Sequence, residues 1–277
     1  MSTFIVAEIG INHNGSVEIA RKLIDAAKWA GADAVKFQKR TVEIVYKGQL
    51  DEPRESPWGQ TLGQQKWGLE FNRLQYDLIG SYCLSINMPW FCSAWDLESF
   101  DFLLKYDLPY NKIASAMATN YEFVTAVAAQ KTPTFLSTAM CTMPEISNAV
   151  TWIDAKSCPL TLMHCVASYP APEEDLNLLM IPKLVKTFKK SVGFSDHSAS
   201  LTPAVAAVCM GASCIEKHIT LDRSMYGSDQ AASFEPDGFK RMVNMLRKIP
   251  IVLGKGEKVI TADEEKVAKK LRYWLRS

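Results

Sequence analysis

The chain has 277 residues, 48% of them hydrophobic, and a formal net charge of +1 at pH 7. That balance argues against nucleic acid or an acidic membrane as a partner, and the length suits a single α/β barrel of roughly 250 residues. No apolar run approaches the ~20 residues of a bilayer-spanning helix, Met1-Ser2-Thr3-Phe4 runs into a strand without a basic signal region, and the seven cysteines contain no CxxC pair, so a soluble, cytoplasmic protein with reduced thiols is expected.

Strand-like and helix-like segments alternate along most of the chain, the rhythm of parallel βα units. The strand at 4–9 is followed by an amphipathic stretch at 17–30, where Gly31 suits a helix C-cap, and by a second strand at 34–38. A polar insertion at 40–68, carrying Pro53 and Pro57, comes next; it is either a lid or a loop that merely covers the barrel. Helix 72–86, strand 90–93, helix 97–106 and strands 112–115 and 134–137 continue the alternation. Helix 144–155, strands 160–164 and 192–194, helix 203–210 and strand 214–217 complete it. Asp96, Asn120, Thr142 and Thr202 fall at or beside the N-caps, with Pro144 and Pro203 in the first turn. Eight strands close a barrel, so a (β/α)8 TIM barrel is expected.

Barrel chemistry sits at the carboxyl ends of the strands. His197 and His218 close short apolar runs about one βα unit apart, which predicts two imidazoles side by side at one rim, a pattern suited to a divalent metal. Asp196 and Glu216 are the neighbouring carboxylates that could fix the tautomers or hold metal-bound water. The plainer reading is that each histidine caps its strand. Glu8, the Asn12-His13-Asn14 turn, Lys36, Gln38, Ser93, Lys112, Ser115, Ser137, His164 and Tyr169 fall at the same rim. Two lysines with several hydroxyls make a phosphate pocket, although a single strand-end lysine is commonly solvated or ion-paired. The residues thus point to an anionic phosphate ester beside a cation that polarises a carbonyl.

The strings Ala7-Glu8-Ile9-Gly10-Ile11-Asn12-His13-Asn14-Gly15, Val35-Lys36-Phe37-Gln38, Lys112-Ile113-Ala114-Ser115, Leu136-Ser137-Thr138-Ala139-Met140, Tyr169-Pro170-Ala171-Pro172, Gly193-Phe194-Ser195-Asp196-His197 and Glu216-Lys217-His218-Ile219-Thr220 resemble the N-acetylneuraminate (sialic acid) synthase family, in order and over nearly the whole chain. The resemblance implies a barrel that condenses phosphoenolpyruvate with an open-chain amino sugar or aldose, releases phosphate and yields a nonulosonic acid. By the same resemblance His197 and His218 would hold Mn or Mg. Lys36, Gln38, Ser93, Lys112, Ser115 and Ser137 would bind phosphoenolpyruvate, with Glu8, Glu216 and Lys112 catalytic and Tyr169 and Asp229 on the sugar. It also implies a homodimer. A metal-dependent aldolase using Lys36 or Lys112 as a Schiff-base amine, and a phosphate-binding barrel without turnover, are the alternatives.

Three positions depart from the family pattern. Ala116-Met117 stands where the family usually has a glutamate, Ala167 where it commonly has a sugar-binding asparagine, and Ala94 where a threonine often faces phosphate. Family members usually continue into a small antifreeze-like domain that lends an arginine to the partner subunit's sugar site. The expected organisation here is one barrel over 1–277 with a helical tail from about 255 and no antifreeze-like domain. A changed acceptor is therefore expected, with N-acetylmannosamine as the leading option.

Overall fold

Successive side chains of a strand face opposite ways, so each barrel strand sends every second residue inward. The computed structural model describes residues 3–275. Its strands are β1 (Phe4–Gly10), β2 (Ala34–Lys39), β3 (Pro53–Ser56), β4 (Gly59–Thr61), β5 (Trp90–Ala94), β6 (Asn111–Ile113), β7 (Thr134–Ser137), β8 (Leu160–Cys165), β9 (Ser191–Asp196) and β10 (Cys214–His218). All but β3 and β4 close into one parallel barrel, in which β10 returns to pair with β1. The intervening helices pack outside, which makes the chain a (β/α)8 barrel.

Inward residues form two layers. The lower is an apolar plug of Phe4, Val6, Ala34, Phe91, Tyr110, Phe135, Met163 and Cys214. Gly193 completes it, because a Cβ there would lie 2.6 Å from Met163 Sδ and 2.8 Å from the Cys214 carbonyl oxygen. One pleat further along the same strands stand Glu8, Lys36, Ser93, Lys112, Ser195 and Glu216, all buried. Outward residues such as Ile5, Phe37, Ile113, Leu162, Phe194 and Ile215 join the helices in the main core. Burying each of these large side chains contributes about 1.5–3 kcal/mol.

Local signals set the helix ends. Ser16 accepts from Ile19 N, and Gly31 ends the helix Val17–Ala30 at φ 91°. Asp96 and Asn120 cap as expected, and Thr142 forms a capping box with Glu145. Thr202 is the first helical residue, with Leu201 before it.

The sixth-strand region is shorter than its predicted 112–115 span. β6 ends at Ile113, and Ser115 opens a 3-10 turn, Ser115–Met117. The insertion is folded: helix Val42–Val45, the β3–β4 hairpin and helix Leu62–Leu69. Trp58 lies against Gly68, where a Cβ would come within 2.1 Å of its ring, and meets Tyr226 at 5.8 Å between ring centroids. Gln65 Nε2 donates to Tyr226 Oη at 2.6 Å, tying the cover to the segment after β10. Helix Pro236–Leu253 packs through Phe239, Met242, Val243 and Leu246. Helix Ala262–Leu271 buries nothing, and Tyr273 and Trp274 are exposed.

Candidate active site

A cavity of about 160 Å³ opens at the carboxyl ends of the strands. Its lining brings together Glu8, Lys36, Gln38, Ser93, Lys112, Ser115, Ser137, Tyr169, His197, Glu216 and His218. Asp229 stands outside it, in an adjoining hollow of about 210 Å³, with Oδ2 3.7 Å from His218 Nδ1.

The cavity floor is a buried charge network. Lys112 Nζ donates to both carboxylate oxygens of Glu216 at 2.8 Å, and Lys36 Nζ lies 3.0 Å from Glu8 and 3.5 Å from Glu216. Gln38 Nε2 donates to Glu8 Oε1 at 2.7 Å, and Ser195 Oγ to Glu216 Oε1 at 3.2 Å. Buried charges require such pairing, since desolvating each ion costs several kcal/mol. Burial raises the Glu8 pKa to about 7 despite Lys36. Burial acts the same way on Glu216, but Lys112 and Lys36 outweigh it and hold that carboxyl well below the usual range. On Lys36 the two carboxylates overcome desolvation and raise the pKa, whereas on Lys112 desolvation prevails and lowers it.

The two histidines extend from neighbouring strands β9 and β10, with ring centroids 5.6 Å apart. His197 Nδ1 is 2.6 Å from the Val166 carbonyl oxygen, which only accepts, so Nδ1 carries the proton and Nε2 offers its lone pair to the Tyr169 hydroxyl at 3.2 Å. His218 Nδ1 is buried with no hydrogen-bond partner among the described residues. Burial lowers the His197 pKa to about 4, helped by His218, and the His218 pKa to about 3, helped by Lys36. Both rings are therefore neutral, the form that binds metal. Among the described residues no group of three His, Cys, Asp or Glu side chains could hold a metal. A cation here would take the two imidazoles and complete its shell with water or substrate. The orphaned nitrogen of His218 and the neutral pair fit that use.

Several strand-end residues face elsewhere. Asp196 points outward, where Lys217 Nζ meets it at 3.0 Å and Ser198 N at 2.8 Å, so it does not orient the histidines; Val166 does that for His197. His164 also faces outward, its Nε2 2.7 Å from Leu176 O. His13 stacks on Phe71 with centroids 3.9 Å apart. Of the three departures, Ala94 and Met117 pack with the core, while Ala116 and Ala167 line the cavity. Trp95, Met140, Cys165 and Ser195 also line it and were not among the predicted site residues. Trp95 and Ser195 share strand parity with Ser93 and His197, a signal the sequence held.

Residues 23–258 match the NeuB family. The chain is 34% identical to N,N'-diacetyllegionaminic acid synthase of Legionella pneumophila, over 93% of this chain and 75% of that one. It is 36% identical to N-acetylneuraminate-9-phosphate synthase of Drosophila melanogaster, over 95% and 74%. The crystal structure of N-acetylneuraminic acid synthetase from Leptospira borgpetersenii superposes with a TM-score of 0.87 at 30% identity, covering 100% of this chain and 94% of that one.

Proposed function

The chain belongs to the NeuB family, and from that premise we propose that it joins phosphoenolpyruvate to the open-chain aldehyde of a sugar, giving a nonulosonic acid and inorganic phosphate. The relatives are synthases of sialic and legionaminic acids. The observation that carries the reading is one cavity that brings Lys36 and Lys112 together with the neutral pair His197 and His218.

In this reading the phosphate lies against Lys36, Lys112, Ser115 and Ser137, and competes with Glu8 and Glu216 for the ammonium groups. Carbon 3 of phosphoenolpyruvate attacks the aldehyde carbon, and the aldehyde oxygen takes a proton to become a hydroxyl. Carbon 2 is left electron-poor, water adds there and loses a proton, and the tetrahedral adduct breaks its carbon–oxygen bond to release phosphate. Glu8, with a pKa of about 7, is close to half-protonated at neutral pH and can receive the water's proton. Gln38 orients that carboxyl from one side. Manganese or magnesium held by His197 and His218 would supply Lewis-acid polarisation of the aldehyde oxygen. The bidentate contact of Lys112 with Glu216 favours a point-charge role over a Schiff-base amine. Confining both reactants in one cavity supplies much of the rate, since orientation alone is worth roughly 7–11 kcal/mol.

The test is phosphate release from phosphoenolpyruvate with manganese across aldoses and amino sugars, with His218→Ala beside the wild type. Metal-dependent release with one acceptor, lost in the variant, is expected. No release with any acceptor, although the variant and wild type bind phosphoenolpyruvate alike, would overturn the synthase.

A further inference from the structure

Lys217 and Asp196 are register partners on β10 and β9, and both side chains are fully buried on the outward face of the barrel. The partners one pleat below them, Ile215 and Phe194, are apolar and join the main core. Stability alone does not account for an ion pair in that position, since an apolar pair of similar volume is commonly as stable or more so. Its surroundings give it another use. Lys217 Nζ meets Asp196 Oδ2 at 3.0 Å and also donates to the carbonyl oxygen of Ser198, while Asp196 Oδ1 accepts from Ser198 N at 2.8 Å. The residues on either side of His197 are thereby both held by Lys217, which itself precedes His218 in β10. The same ammonium lies over the Phe234 ring, 4.4 Å from its centroid, and Phe234 N donates to the His218 carbonyl oxygen at 2.9 Å.

Two imidazoles are few ligands for a cation, so the geometry they present decides how well it is held. Val166 orients the His197 ring, but His218 Nδ1 has no partner among the described residues, so the place of that ring depends on the backbone beneath it. We propose that Lys217 is a positioning residue for the metal pair: with Asp196 and Ser198 it locks the ends of β9 and β10 together behind the cavity, and so fixes the spacing of His197 and His218, whose ring centroids are 5.6 Å apart. The proposal rests on the reading that these two histidines hold a divalent cation. Neither Lys217 nor Asp196 lines the cavity or bonds an imidazole, so the pair orients no ring and acts only through the backbone that carries both. Groups that place metal ligands typically set affinity by about 10–100-fold.

Manganese binding, read from the electron paramagnetic resonance signal of the free ion, and phosphoenolpyruvate binding, read by calorimetry without metal, are compared in wild type, His218→Ala and the double variant Asp196→Asn with Lys217→Met. The double variant strands no charge: Asn keeps an acceptor for Ser198 N, and Met keeps the volume over Phe234. The expected result is manganese binding to the wild type that His218→Ala loses, and a Kd for manganese about 10–100-fold higher in the double variant while its Kd for phosphoenolpyruvate stays within about twofold. A loosened fold moves both constants, whereas displaced ligands move only the first. Unchanged manganese affinity in the double variant overturns the positioning role and leaves the metal site standing. Parallel loss of both ligands overturns it too, since the pair would then serve the fold at large. Manganese binding that His218→Ala leaves intact, or no binding to the wild type, removes the metal reading itself and the proposal with it. Lys217→Gln, one atom shorter and still a donor toward Asp196, is read by the same criteria if the double variant fails to fold.

Discussion

His13, His197 and His218 are all buried, and burial is the largest cause holding each imidazole neutral, with pKa values of about 3, 4 and 3. Their unfolded values lie near 6.5, so between pH 6.5 and about 4 the unfolded chain binds more protons than the folded one. Stability therefore rises with pH through that window and is lost as pH falls. Glu8 works in the opposite direction. Its folded pKa of about 7 lies above the unfolded 4.5, so its contribution weakens as pH climbs from 4.5 to 7. His13 is the cleanest probe, because it stacks on Phe71 and accepts from Gly15 N, away from the proposed metal pair. His13→Asn should remove one proton from the uptake on unfolding, flattening the stability–pH slope between pH 4 and 6 by about 1.4 kcal/mol per pH unit. Urea titrations at several pH values measure that slope, and an unchanged slope would mean that His13 is charged in the fold.

Along a strand, parity decides what a residue at the rim can do. Ser93 and Trp95 line the cavity while Ala94 between them packs in the core; Ser195 and His197 face in while Asp196 pairs with Lys217 outside. The same alternation at the plug level puts Gly193 inside, where a Cβ would meet the Cys214 carbonyl oxygen at 2.8 Å as well as Met163 Sδ at 2.6 Å. Met163 could swing away, but the Cys214 carbonyl belongs to the paired strand. Gly193→Ala should cost about 1–3 kcal/mol and lower Tm by several degrees in a thermal scan, and an unchanged Tm would show that the barrel spreads freely. The strands were legible because their apolar runs end in turn signals, and the cavity-lining lysines and histidines because they sit at the ends of those runs. Asp196 and His164 sit at strand ends but face away from the cavity, because proximity to a strand end does not specify the pleat. The two-helix and hairpin build of the insertion was hidden by its polarity, since Trp58, Gln65 and Tyr226 join only in three dimensions.

Taken as one molecule, the barrel is an apolar plug with a charged layer above it, and the layer is closed electrically before any substrate arrives. In the order of the ring β6 and β10 stand opposite each other, so the Lys112–Glu216 pair crosses the barrel interior. Lys36 and Glu8 form the other pair on neighbouring strands, 3.0 Å apart. With Glu8 ionised, two cations and two carboxylates balance, and deleting Lys112 leaves a net buried charge. Lys112→Met should therefore lose about 3–5 kcal/mol of stability. Adding Glu216→Leu removes the stranded carboxylate and leaves the Lys36–Glu8 pair balanced, so the double variant should recover most of that loss and could exceed the wild type by about 1–4 kcal/mol. Phosphate release should fall steeply in both variants, because the recovered stability does not restore the Lys112 ammonium and leaves Lys36 alone for the phosphate to meet. Denaturant unfolding of the two singles and the double forms the thermodynamic cycle. Additive losses in the double variant would mean that Lys112 and Glu216 contribute independently, with no coupling across the barrel; recovery of stability without recovery of activity would identify the pair as a cost that the fold carries for binding an anion.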